Sequence, residues 1–254
     1  METLACIKRV PDTGAKIVLT DDHQTIDTTS LGFTMSPHEE CAVEEAVQAV
    51  EDHGGSATAL TLGSEDATEQ LRTALAMGVD EATLLESDDE EWGPRATARA
   101  IADAVREKAE AGTEYDLLLF GNEAADAQNY QVGVRVAHEL DLPVVAGVKS
   151  LDVEDGTAIA KRDVSGGSEV YEVPLPAVFT VKEGLNTPRY PSIRGRMQAK
   201  KHDIERMEPE HDGGGLEKVR LEVPEQDDSR AEILGESPDA ASDVIDVLQD
   251  LEVI

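Results

Sequence analysis

The sequence is poor in aromatic side chains and in cations. Phe, Trp and Tyr make up only 3% of the 254 residues, so Ala, Val and Leu must supply most of the core. The chain has 22 basic against 54 acidic residues, a formal net charge of −32, which excludes general affinity for nucleic acid or anionic lipid. Because the acids are spread along the whole chain, they indicate a solvated acidic shell. Such shells suit cells that keep molar salt, where charges are screened within about 3 Å.

Cysteines and long apolar runs are also scarce. The two cysteines, Cys6 and Cys41, form neither a disulfide framework nor a Cys-x-x-Cys motif, and we expect both to be packing residues. With no pair of histidines at ligand spacing, we expect a reduced, cytoplasmic protein without a metal site. No stretch approaches the ~18 consecutive apolar residues of a membrane span, and the first residues do not resemble a signal peptide. No nucleophile and base stand out, so no catalytic residue is predicted.

Apolar runs alternate with helical patterns in the first half of the chain. We predict strands at 3–7, 57–62, 81–85 and 115–120, with helices from Ser36-Pro37, over 66–77, over 94–111 and from about Tyr130. Ser36 and Glu39 form a capping box at the first helix, and Pro37 suits its first turn. This alternation predicts a doubly wound, mostly parallel α/β sheet with strand order 3-2-1-4-5.

The second half of the chain has a different pattern. Alternating residues at 144–153, 157–164 and 168–173 predict an antiparallel meander, followed by an apolar strand at 176–181. Residues 182–201 are the most basic stretch, and 208–230 are acidic and glycine-rich, which indicates a tether. A final amphipathic helix runs from Ser237-Pro238 to about Asp250, and its apolar face needs another surface to cover it. We therefore predict an α/β domain over 1–205 and a C-terminal arm over 206–254.

The loop after the fourth strand is the predicted binding site. In the expected sheet the carboxyl ends of the first and fourth strands flank one crevice, so the loop from Gly121 to Gly133 faces Lys8 and Arg9. Helix-start N–H groups there favour a nucleotide phosphate. The alternative is an ordinary strand-to-helix turn, because neither GxGxxG nor GxxxxGK[ST] is present. Lys8 and Arg9 either approach a phosphate or are exposed charges, and Asp126 either caps the helix or accepts from a ribose hydroxyl.

Five motifs, read in order, resemble the beta subunits of electron transfer flavoproteins over roughly residues 3–205. They are Cys6-Ile7-Lys8-Arg9-Val10-Pro11-Asp12, Ser36-Pro37-His38-Glu39-Glu40-Cys41-Ala42, Leu71-Arg72-Thr73-Ala74-Leu75-Ala76-Met77-Gly78, the loop from Gly121 to Gly133, and Leu185-Asn186-Thr187-Pro188-Arg189-Tyr190-Pro191-Ser192-Ile193. The resemblance implies a non-catalytic electron carrier that pairs with an alpha subunit holding the redox FAD. It implies acyl-CoA-type or other dehydrogenases as electron donors and a quinone reductase as acceptor.

The resemblance also implies that the crevice holds AMP. Its predicted cofactor residues are Cys6, Lys8, Ser36, Pro37, His38, Glu39, Leu62, Gly121, Asn122, Glu123, Ala124, Ala125, Asp126, Ala127, Gln128, Asn129, Tyr130, Gln131 and Val132. The Gln131-Val132-Gly133 ending resembles the electron-bifurcating branch, which binds a second FAD there, but that branch's Gly-Asp-Thr after Asp126 is absent. Both nucleotides stay open. So does a second class of function, a nucleotide-hydrolysing or nucleotide-sensing enzyme that uses the acidic loop with Mg²⁺.

The family's partner-recognition loop falls on the basic stretch. Its residues are Arg189, Tyr190, Pro191, Ser192, Ile193, Arg194, Gly195, Arg196, Met197 and Gln198. Ile193 stands where the family has a leucine anchor, and the cations around it suit a hydrophobic contact with a charged rim. The alternative is that Ile193 packs inside its own subunit.

Overall fold

The structure is a computed structural model that describes residues 1–12, 14–88, 92–211, 218–224, 233–235 and 237–254. Its strands are β1 (Glu2–Cys6), β2 (Val10–Pro11), β3 (Phe33–Thr34), β4 (Ser56–Gly63), β5 (Glu81–Glu86), β6 (Leu117–Gly121), β7 (Val144–Glu154), β8 (Thr157–Val164), β9 (Gly167–Pro174), β10 (Ala177–Val181) and β11 (Glu205–Met207). Its α-helices are α1 (Pro37–His53), α2 (Thr68–Met77), α3 (Pro94–Glu110), α4 (Val132–Leu140), α5 (Ile193–Ala199) and α6 (Ala241–Asp250). The predicted α/β class is confirmed.

β1 lies near the middle of the large sheet. Among the described residues, nine strands follow the order β11-β5-β4-β1-β6-β10-β7-β8-β9. β1 runs parallel to both β4 and β6, and its Leu4 and Ala5 are fully buried. A strand covered by helices on both faces needs a continuous apolar run, which is why these short runs could be identified as strands.

The predicted order 3-2-1-4 is confirmed, and β10 takes the next place beside β6. β10 lies between β6 and β7 and is parallel to both, so the next strand along the chain, β7, is displaced by one place. The meander β7–β9 runs outwards to β9 at the edge of the sheet, and the chain then returns to β10 in the sheet interior. β10 then fills the gap beside β6 with residues that are all buried.

The predicted antiparallel meander is confirmed and continues the same sheet. β7 pairs with β8, and β8 with β9, both antiparallel. In β8, Ala158 and Ala160 are fully buried, whereas Lys161 and Asp163 are not. This alternation is what a sheet with one covered face requires. A separate two-stranded antiparallel sheet, β2 with β3, lies in the turn-rich part of the chain.

Helices cover both faces of the parallel part. Ala42 of α1 and Leu71 of α2 belong to one core, and Ile101 of α3 and Val136 of α4 to the other. The predicted capping box of α1 is confirmed: both hydrogen bonds between Ser36 and Glu39 are present. The fourth helix starts at Val132 because Tyr130, with φ of 55°, has a left-handed backbone that no α-helix includes.

The C-terminal part contains elements that the sequence pattern did not indicate. α5 forms inside the basic stretch, and β11 adds to the sheet edge beside β5. Much of the predicted tether lies outside the described residues. In the described part of the chain, every helix is too short or too polar to cross a membrane.

Candidate functional site

A crevice opens at the carboxyl ends of β1 and β6, as the parallel order requires. Cys6 and Phe120 are directly paired there, and the cavity beside them has a volume of about 370 Å³. The predicted cofactor residues that line it are Cys6, Lys8, Glu39, Leu62, Gly121, Asn122, Glu123, Ala124, Ala127, Asn129, Tyr130, Gln131 and Val132. Those outside its lining are Ser36, Pro37, His38, Ala125, Asp126 and Gln128.

Two glycines let the helices approach the strand ends closely. A Cβ on Gly121 would lie 2.8 Å from Glu39 Cγ, and one on Gly133 would lie 2.7 Å from Thr180 Cγ2. Real Cβ atoms do not sit this close to a neighbour, so larger residues would push the start of α1 or α4 away from the sheet. The two glycines therefore set the width of the crevice.

The polar loop after β6 is tied to the end of β1. Lys8 Nζ lies 2.6 Å from Asp126 Oδ2, and Asp126 Oδ1 accepts the N–H of Ala127 over 2.8 Å. The interpretation of Asp126 as the cap of α4 is wrong, because the N-cap is Gln131, whose side chain makes no capping hydrogen bond. First-turn N–H groups of a helix that lack a side-chain cap can donate to water or to an anion.

Arg9 adds a second cation to the lining of the crevice. Its guanidinium carbon lies 3.4 Å from the ring centroid of Phe33, and its Nη2 lies 3.7 Å from Asp66 Oδ2. Stacked on an aromatic face, the guanidinium has a fixed place beside the cavity. From the sequence, Lys8 and Arg9 were either close to a bound phosphate or simply exposed charges. In the structure both residues line the crevice.

Glu39 is a buried carboxyl group at the floor of the crevice. It is 5% exposed and accepts the N–H of Ser36 over 3.0 Å. Burial raises its pKa to about 7, although hydrogen bonds from the Ser36 and Lys8 N–H groups favour the charged form. Burial, and then the charge of Glu39, also raise the pKa of the neighbouring Cys6 thiol. The thiol is therefore held protonated, which suits a packing residue rather than a redox one.

His38 joins the crevice loop to the segment after β10. Its Nδ1 accepts the N–H of Glu183 over 2.6 Å, and its Nε2 lies 3.3 Å from Glu123 Oε1. An accepting Nδ1 leaves the ring proton on Nε2, where it can be donated to Glu123. His38 is thus a bridging residue next to the crevice, although it lies outside the lining.

One wall of the crevice was not predicted. It consists of residues that follow β5 or begin α3, namely Ser87, Asp88, Trp92, Gly93, Pro94, Thr97 and Ile101. The ring of Trp92 is held edge-on against His211, with centroids 4.5 Å apart. The order of the strands could have predicted this wall. Because β5 is parallel to β4, its carboxyl end lies at the same edge of the sheet as the crevice.

The predicted recognition loop forms an exposed surface next to α1 and α2. Tyr190 is 85% exposed, Ile193 83% and Met197 63%. The guanidinium of Arg196 stacks over Tyr190 at 5.0 Å, and Arg194, Lys200 and Lys201 are exposed nearby. The alternative that Ile193 packs inside its own subunit is therefore wrong. We call Tyr190, Ile193 and Met197 the apolar patch.

The part of the chain described here contains no group of three His, Cys, Asp or Glu side chains placed to hold a metal ion. The predicted absence of a metal site and of catalytic residues stays a prediction.

Comparison with known proteins gives a consistent result. The sequence model of the electron transfer flavoprotein domain matches residues 24–212. The chain is 39% identical to an electron transfer flavoprotein subunit beta of Bacillus subtilis over 82% of this chain and 79% of the relative. It is 36% identical to the subunit of that name from Thermoanaerobacterium thermosaccharolyticum, over 78% and 75% of the two chains. It is 37% identical to the electron transfer flavoprotein subunit beta of Syntrophomonas wolfei, over 80% of this chain and 78% of the relative.

Proposed function

Because the chain belongs to the electron transfer flavoprotein family, we propose that it is the beta subunit of a cytoplasmic heterodimer. In this proposal the alpha subunit holds the redox FAD, and this chain binds a nucleotide and docks dehydrogenases, without bond chemistry of its own. Acyl-CoA-type or other dehydrogenases supply the electrons and a quinone reductase accepts them. The observation that carries the proposal is the crevice at the β1 and β6 ends, in a chain whose residues 24–212 match the family.

The lining of the crevice favours a nucleotide over other anions. Lys8, Arg9 and the start of α4 supply groups that can contact an anion, and Leu62, Trp92 and Ile101 supply apolar surface to the same lining. A ligand that suits both kinds of surface has an anionic group and a flat apolar base. We propose AMP as this ligand, with a second FAD as the alternative, because Asp126 is followed by Ala127-Gln128-Asn129 and not by the Gly-Asp-Thr of the electron-bifurcating branch.

The nucleotide content of the purified heterodimer tests this proposal. Acid precipitation followed by chromatography is expected to release one AMP and one FAD from each heterodimer. Two FAD and no AMP would show that this chain is of the electron-bifurcating type. A colourless complex without either nucleotide would contradict the proposed function as a whole.

The apolar patch is the proposed docking surface for dehydrogenases. An exposed aliphatic side chain ringed by cations suits a partner with an apolar pocket and carboxylates around it. Burying Ile193 in such a pocket is worth roughly 1.5–3 kcal/mol, or about 10- to 150-fold in affinity. We expect Ile193→Ala to weaken reduction by a dehydrogenase by that factor, since its side chain is 83% exposed in this chain.

The control is Val170→Ala, an exposed valine on β9, 57% exposed, which is expected to leave the dehydrogenase reaction unchanged. Both variants should keep the FAD, the nucleotide and the melting temperature. An Ile193→Ala complex that dehydrogenases reduce as fast as the parent at limiting concentration would rule out the patch as the docking surface.

The acidic shell is proposed to be an adaptation to high salt. With a net charge of −32, the surface carboxylates repel each other over about 30 Å in 0.01 M salt but only about 3 Å in 1 M salt. The melting temperature is therefore expected to rise steadily between about 0.1 M and about 2 M KCl. A flat or falling curve would contradict the adaptation.

A further inference from the structure

The apolar patch lies on a helix that is too short to be stable by itself. α5 has seven residues, and isolated helices shorter than about 12–15 residues are marginal in water. Nearby residues supply two local contacts: the Ser192 hydroxyl accepts the N–H of Gly195 over 3.0 Å, and the guanidinium of Arg196 stacks over Tyr190. Contacts with the rest of the domain must therefore hold α5 in place.

Before α5, the chain is attached to α1 by a branched ion pair. The Arg189 guanidinium donates to Glu44 through Nε at 2.9 Å and Nη2 at 3.0 Å, and to Glu51 through Nη1 at 2.7 Å and Nη2 at 2.9 Å. The N–H of Arg189 also donates to Glu44, over 2.9 Å. Although burial raises the pKa of Glu44, the hydrogen bonds from Arg189 outweigh burial and lower it, so Glu44 is ionised at neutral pH.

At its other end, α5 is attached to α2. Arg72 Nη1 donates to the carbonyl of Ala199 over 2.6 Å and reaches that of His202 at 3.4 Å. A cation that binds the last carbonyls of a helix satisfies groups without intrahelical partners and complements the helix dipole. Between the ends, a Cβ on Gly195 would lie 2.8 Å from the Ala76 carbonyl oxygen, so α5 touches the α2 backbone.

We infer that Arg189 and Arg72 are positioning residues that fix α5 from both ends and so preorganise the apolar patch for docking. The inference rests on the docking function proposed above. The patch residues Ile193 and Met197 are exposed and touch little of their own chain, so their placement depends on the backbone of α5. A preorganised surface loses less conformational freedom on binding, which strengthens association without any added contact.

The test uses the heterodimer, co-expressed with its alpha subunit, and an acyl-CoA dehydrogenase of the source organism. The variants are Arg189→Gln and Arg72→Met. Loss of a charge-assisted hydrogen bond predicts that amide hydrogen exchange in α5 becomes about tenfold faster. The KM of the dehydrogenase for the flavoprotein should rise by about the same factor, while kcat and nucleotide content stay unchanged.

Two further variants keep the test decisive. Arg189→Gln leaves the buried Glu44 without its cation, so the double variant Glu44→Gln/Arg189→Gln repeats the measurement in a background without that charge. Arg189→Lys should give intermediate values, because one ammonium group cannot replace a fork that serves two carboxylates. The matched control is Arg106→Gln, which removes an arginine that joins Asp103 of α3 to the Glu139 carbonyl of α4, away from α5.

The outcomes separate the inference from the function on which it rests. Unchanged exchange and KM in Arg72→Met and in the double variant, together with a raised KM in Ile193→Ala, would overturn the inference and leave docking intact. If Ile193→Ala also leaves KM unchanged, the docking function is wrong and the inference falls with it. Equal effects in Arg106→Gln would show that any lost arginine has the same consequence, which would also overturn it.

Discussion

The first and last helices open with the same Ser-Pro pair but differ in what covers them. α1 follows Ser36, has 17 residues and buries seven of them. α6 follows Ser237-Pro238 and a short 3-10 turn, and none of its residues is buried; Val244 is 44% and Ile245 47% exposed. An amphipathic pattern specifies a helix, but whether its apolar face is buried depends on a neighbouring surface. We propose that the alpha subunit covers α6.

The strongest challenge to this comparison is to make the apolar face of α6 polar. If the alpha subunit covers it, Val244→Ser/Ile245→Ser removes two buried side chains, about 3–6 kcal/mol, and weakens the heterodimer by about 10²- to 10⁴-fold. The fold of this chain alone should not change, because neither residue is buried in it. Sedimentation measures the dissociation constant, and circular dichroism measures the fold.

Asp246→Ser, on the opposite side of α6, is the matched control and should leave the heterodimer intact. If the double variant binds the alpha subunit as tightly as the parent, α6 is not part of the interface. The alpha subunit would then not be the surface that covers the apolar face of α6.

A smaller effect is expected from the buried carboxyl group of α1. The pKa of Glu39 rises from the ordinary 4.5 to about 7 in the folded chain, mainly through burial. Between these values the folded state holds a proton that the unfolded state has released, so stability falls as the pH rises through this window. Glu39→Gln removes this loss of stability, because glutamine does not ionise. Above pH ~7 the free energy of unfolding of the variant should therefore exceed that of the parent by about 3 kcal/mol, and below pH ~4.5 the two should differ little.

Chemical denaturation at a series of pH values measures this difference. Part of the pH dependence should persist in the variant, because burial also raises the pKa of Glu45 to about 7. Glu107→Gln, at an exposed position of α3, controls for the loss of one negative charge. A parent and a Glu39→Gln variant that differ by the same amount at every pH would show that Glu39 is not protonated in the folded chain.

The smallest expected effect compares two serines that each precede a helical turn. Ser36 Oγ accepts the N–H of Glu39 over 3.4 Å, and Glu39 Oε2 accepts the N–H of Ser36 over 3.0 Å. Ser36→Ala should cost about 1 kcal/mol, which lowers the melting temperature by about 2–4 °C. Ser64, the N-cap of the 3-10 turn before α2, makes no capping hydrogen bond, so Ser64→Ala should cost less than about 0.5 kcal/mol. Calorimetry of the chain alone distinguishes them; equal shifts would mean that the side chain of Ser36 contributes nothing as the cap of α1.

Most of the crevice could be predicted from the sequence because its parts are local. The runs that became β1 and β6 are short, apolar and followed by turn residues, and the parallel order places their ends at one edge. The wall around Trp92 was missed because it depends on where β5 lies in the sheet rather than on any motif around residue 92. Of the two interpretations of Asp126, the helix cap was wrong, because its partner Lys8 is 118 residues away in the chain.

Local patterns in the sequence were enough to predict the capping box of α1 and the apolar strands, because each depends on residues within a few positions of one another. For Ile193 they left exposure and burial both open, and for Asp126 they allowed a cap that does not form. The fold places β10 between β6 and β7, because strand neighbours are chosen by long-range pairing. It also decided that residues 193–199 are helical. That helix depends on Arg189 and Arg72, whose partners lie on α1 and at the far end of α5, and no local pattern in the basic stretch records such contacts.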